Sequence, residues 1–96
     1  MDVAALAASV TRHRARPFPD CRGVEIDGVD LVLVDADLAG CVDALLSSAG
    51  RSPQHEVELR RVVADLERVV PLLPAEWVPY FAAARDLGRA ALAVRR

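Results

Sequence analysis

From the N-terminus, Val3, Leu6, Ala7 and Val10 recur at helical spacing and share one face. Asp2 precedes them as a cap, and Arg12, His13 and Arg14 suit the negative end of a helix dipole, so a short amphipathic helix is predicted over 2–14. Pro17 and Pro19 flank Phe18 and stop continuation, leaving an extended connector. The period then changes to alternation. Val24-Glu25-Ile26, then Asp27-Gly28, then Val29–Val34 read as a β-hairpin with a type I′ turn. That turn sets Ile26 opposite Val29, Glu25 opposite Asp30 and Val24 opposite Leu31. One face is then Val24, Ile26, Val29, Leu31 and Leu33, wholly apolar, while the other holds Glu25 and Asp30 as an unfavourable like-charge pair.

Beyond the hairpin the helical period returns. Asp35 can cap a helix over 36–48 that turns Leu38, Val42, Leu45 and Leu46 inward and stops at Gly50. Ser52 can cap a third helix with Pro53 at its first position. Leu59, Val62, Leu66, Val69 and Leu73 give it an apolar stripe, widened by Val63 and Val70, and Glu56/Arg60 and Arg61/Asp65 are i,i+4 pairs on its solvent side. Pro71 and Pro74 make a turn, Glu76–Val78 a second one, and a fourth helix runs over 79–94. Its small residues Ala84, Gly88 and Ala91 let a neighbouring helix approach closely, so the last two helices form an antiparallel hairpin. The expected fold is α+β: one β-hairpin packed on one face by about four helices. The competing reading is an all-helical bundle with 29–34 as an extended linker. A single small domain spans 1–96, with the N-terminal helix and connector in 1–19, the hairpin in 20–35 and a three-helix part in 36–96.

Composition refines this picture. Ala, Val and Leu supply 43 of the 51 apolar residues against four aromatics, a small-grained core suited to helices. All 12 basic residues are Arg, and Lys and Asn are absent, a bias expected of a high-GC bacterial genome. The uncharged runs 3–11 and 77–84 are far short of the roughly 20 residues of a membrane span. Asp2 stands where a signal peptide wants positive charge, so a cytoplasmic protein is expected. Cys21 and Cys41 are too few for a disulfide scaffold or a four-thiolate zinc site, and are expected as reduced, buried thiols.

Few residues suggest chemistry. His13 and His55 are the only two histidines, neither with a nucleophile at a recognisable spacing. His55-Glu56-Val57-Glu58-Leu59 starts like a zincin helix, but Leu59 occupies the place of the second histidine. The string Asp30-Leu31-Val32-Leu33-Val34-Asp35-Ala36-Asp37-Leu38-Ala39-Gly40 resembles the third strand and following loop of response-regulator receiver domains. The resemblance implies a phosphoacceptor at Asp35, yet that family also needs an upstream acidic pair and a lysine, and this chain has no lysine. No catalytic residue, cofactor or metal is expected, and the chain is not read as an enzyme.

Charge is distributed unevenly. Residues 20–43 hold seven acids against Arg22, a sum of −6, between flanks of +2 each. Glu25, Asp27, Asp30, Asp35 and Asp37 therefore suggest an acidic face for a cationic protein partner. The expected function is a small non-enzymatic protein-binding protein of accessory, adaptor or immunity type. The alternative is a regulator that contacts nucleic acid through Arg12, Arg14 and Arg16. Val32 and Val34 extend past the shorter strand on the uncovered face, which predicts a homodimer paired edge to edge there.

Overall fold

Asp2 opens the first helix as the pattern requires, its carboxylate accepting from the Ala5 amide at 2.7 Å. In the computed structural model, which describes residues 2–47 and 53–94, this helix (α1) runs Val3–Arg14 and buries Leu6 and Val10. The hairpin strands are Glu25–Ile26 (β1) and Val29–Asp30 (β2), antiparallel, with Glu25 opposite Asp30 and Ile26 opposite Val29. Asp27 and Gly28 have φ of 52° and 79°, the two positive values a type I′ turn demands. Pairing reaches one step further, the Leu31 amide donating to the Val24 carbonyl at 3.1 Å.

There the second strand ends, and this corrects the expected hairpin. Leu31–Leu46 is a helix (α2), capped by Asp30, whose carboxylate accepts from the Leu33 amide at 3.0 Å. Asp30 rather than Asp35 is the cap. The alternation in 29–34 also fits helical spacing, because Leu31, Val34, Leu38, Cys41, Val42 and Leu45 fall on one buried stripe. A longer helix lets that stripe pack on its neighbours, whereas a longer strand beside a short partner would leave valines bare. Val32 and Val34 therefore do not form a strand edge. Val34 is core, Val32 is exposed on α2, and the edge-to-edge homodimer loses the edge it needed. Leu33, assigned to the apolar sheet face, points out and is 59% exposed.

The remaining helices follow the sequence closely. α3 spans Pro53–Val69 and buries Leu59, Val62, Val63, Leu66 and Val69, and α4 spans Val78–Ala93. The expected stops and caps at Gly50 and Ser52 lie outside the described residues. Two 3-10 turns, Val70–Leu72 and Ala75–Trp77, carry the chain from α3 to α4. α3 packs against α2 on one side and, as a helical hairpin, against α4 on the other, and α1 lies on α4. The small-residue stripe is where the core is tightest: a Cβ at Gly88 would stand 2.6 Å from Val63 Cγ2 and 3.2 Å from Leu38 Cδ1. Among the described residues the fold is thus α+β, four helices and a two-stranded antiparallel hairpin around one core.

Candidate functional site

The acidic segment is largely answered from within the chain. Asp27 accepts from Arg68 Nε at 2.6 Å, tying the hairpin tip to α3. Asp37 accepts from Arg61 at 3.2 Å, and Arg61 also holds Glu58 and, at 3.0 Å, Asp65. Asp43 pairs with Arg14, and Asp30 is spent on the α2 cap. Asp35 turns the other way, accepting from the Tyr80 hydroxyl of α4 at 2.8 Å. Residues two apart on a helix do not share a face, so Asp35 and Asp37 cannot present one surface. Among the described residues, Glu25 alone of the five predicted carboxylates has no side-chain hydrogen bond or ion pair. Three of the seven acids, Asp27, Asp37 and Asp43, are thus paired in space with Arg68, Arg61 and Arg14, which the sum along the chain does not show.

Protonation follows these contacts. The Glu58 and Asp37 carboxylates hold the Arg61 guanidinium charged well above its ordinary range, and Arg61 in turn holds Glu58 below the usual carboxylate range. Asp27, then Asp65, likewise raise Arg68. Burial pushes the Cys21 thiol up, reinforced by Asp20, Asp35 and Asp30, and pushes Cys41 up, reinforced by Glu58 and Asp37. Buried thiols held protonated are poor nucleophiles, and both cysteines read as core.

What the ion pairs leave open is apolar. Val32 and Leu33, in the first turn of α2, are 41% and 59% exposed. A shallow groove of about 130 Å³ beside Leu33 is walled by Asp30, Asp37, Arg61, Asp65 and Arg68. At the corner where the hairpin meets α2, Leu33 is therefore an exposed apolar side chain with a charged border, and Glu25 lies on the adjoining strand.

The basic row of α1 is divided among different partners. Arg14 is bound to Asp43, and Arg12 donates to the Ser9 hydroxyl at 3.0 Å. Arg14 is thus spent on an ion pair, while Arg12 and Arg16 have no carboxylate partner among the described residues and line one groove. His13 between them turns inward, its ring 4.8 Å from that of Tyr80 and its Nε2 3.7 Å from Asp35 Oδ1, with neither ring nitrogen hydrogen-bonded among the described residues. No local pattern announces this meeting of His13, Asp35 and Tyr80, which belong to three helices far apart along the chain. Phe81 is fully buried as core, but Trp77 and Tyr80 are only half-buried and open onto the connector that carries Phe18.

The architecture and this surface define the class as a small α+β domain of four helices and a β-hairpin. No family model, curated protein or solved structure matches the chain. Among the described residues no helix is long and apolar enough to cross a membrane.

Proposed function

We propose that this chain is a small non-enzymatic protein-binding module whose contact face is the corner between the hairpin and α2. The observation that carries the reading is the exposure of Leu33 beside a groove bordered by charged groups. An apolar patch rimmed by polar residues is the usual form of a protein contact. The border also selects. Asp27 and Asp37 are satisfied by Arg68 and Arg61, while Glu25 stands unpaired opposite Asp30, a like-charge pair that a basic side chain would relieve. The partner is thus a protein offering an apolar contact beside a cationic residue. Affinity capture tests this with the wild type, Leu33→Asp, and Val57→Asp as a control on the exposed side of α3. A protein held by the wild type and the control, lost with Leu33→Asp, and rebinding when purified supports the reading. Equal retention by all three overturns it.

A further inference from the structure

A second surface lies elsewhere, between the connector after α1 and the start of α4. A groove of about 460 Å³ there is walled by Pro17, Phe18, Pro19, Trp77, Pro79 and Tyr80, with Arg16, Asp20 and Glu76 completing its lining. It shares no residue with the hairpin–α2 corner. Phe18 and Tyr80 meet at 5.2 Å and 88°, edge to face, so the two rings form a packed L-shaped corner that presents aromatic surface to the groove. Phe81 supports both from below, at 6.0 Å from Phe18 and 5.1 Å from Tyr80. The Tyr80 hydroxyl is anchored on Asp35, which fixes the orientation of its ring before any ligand arrives. Phe18 nonetheless keeps 37% of its surface in water.

Two further features point to an occupant. The Trp77 indole N–H, on a half-buried ring at the groove wall, has no hydrogen-bond partner among the described residues. Of the 14 carboxylates in the chain, only Asp20, Glu25 and Glu76 lack a side-chain hydrogen bond or ion pair among the described residues, and two of those three line this groove. With Arg16 the lining sums to −1, from one cation and two anions.

We infer that this groove is a docking surface for a basic, proline-rich peptide segment in the polyproline II conformation. Such a segment is a stiff helix of about three residues per turn whose carbonyls project outward unpaired. Its pyrrolidine rings pack on exposed aromatic faces, its carbonyls accept from an indole N–H, and its rigidity keeps the ordering cost low. An arginine flanking the prolines meets Asp20 or Glu76. A cage for a small quaternary ammonium ion fits less well, because it needs several ring faces converging on one point, and among the described residues no ring pair includes Trp77.

Trp77 is the only tryptophan, so its emission reports the groove directly. The test titrates the full chain with a synthetic arginine-flanked oligoproline peptide. The expected result is a saturable shift of Trp77 emission. The shift should disappear when alanines replace the prolines, and binding should weaken when glutamate replaces the flanking arginines. Asp20→Asn together with Glu76→Gln, both exposed sites, should weaken binding about tenfold with unchanged melting, since each exposed charge contact is worth up to about fivefold. Phe18→Ala should weaken it as well. Absence of a saturable shift overturns the inference. So does equal response to the alanine peptide, insensitivity to both charge changes, or saturation by tetramethylammonium at lower concentration than the peptide.

Discussion

Among the described residues two glycines lie inside helices, and replacing each with alanine should change stability in opposite directions. Glycine in a helix interior costs about 1 kcal/mol relative to alanine, so either replacement begins with that gain. At Gly40, in α2, no heavy atom stands within 4 Å of the added methyl, and the gain is uncompensated. Gly40→Ala should therefore stabilise the protein by about 0.5–1 kcal/mol. At Gly88 the methyl would arrive 2.6 Å from Val63 Cγ2 and 3.2 Å from Leu38 Cδ1, both on buried side chains. Val63 is β-branched on a helix and held in one rotamer, so its methyl cannot swing aside and the helices must separate. Overpacking of this kind costs about 1–3 kcal/mol, which makes Gly88→Ala net destabilising by about 1 kcal/mol. Val63→Ala alone should cost about 2 kcal/mol of lost burial. Combined with Gly88→Ala it should cost about 2 kcal/mol less than the sum of the two single changes, because the overlap is gone. Urea unfolding of the four variants gives these energies, and each kcal/mol corresponds to a Tm change of about 4–8 °C at this size. A Gly88→Ala variant as stable as Gly40→Ala, or a cycle with no coupling, would refute the close approach of α4 to α3.

Other perturbations separate the remaining forces. Burial, and then the Asp35 hydrogen bond, push the Tyr80 hydroxyl above its ordinary value of 10.0, so its contribution is complete below about pH 10 and is lost as pH rises further. Tyr80→Phe should flatten the alkaline fall of the urea midpoint above that pH, and an unchanged alkaline limb would contradict the assignment. His13→Phe keeps the stack on Tyr80 and removes two buried, unbonded nitrogens, so it should be neutral or stabilising by up to about 1 kcal/mol, whereas a loss larger than that would show a hidden bond. Gly28→Ala meets open space but must hold φ near 79°, and thermal melts should show a cost of about 1–2 kcal/mol. Cys21 and Cys41, buried with thiols raised by that burial, should resist a thiol-labelling reagent at neutral pH and react fully after denaturation.

Local chemistry by itself determined a good part of this molecule. Asp2 as a cap, the Asp27-Gly28 turn and the register it imposes, the buried stripe of α3 and the small face of α4 each depend on residues a few positions apart, which is the range over which caps, turns and periodicity act. Tertiary structure decided what was locally ambiguous. Residues 31–34 satisfy both the strand and the helix period, and packing of Leu31, Val34 and Leu38 into the shared core settled them as helix, removing the predicted edge at Val32 and Val34. The fate of the carboxylates was equally non-local. Asp27 and Asp37 meet arginines of α3, and Asp35 meets a tyrosine of α4. Charge summed along the chain cannot anticipate cancellation across the core, since electrostatic contacts act through distances in space that sequence separation does not measure. The groove between Phe18 and Trp77 arises in the same way, from a proline-stiffened connector and a helix start that only the fold brings side by side.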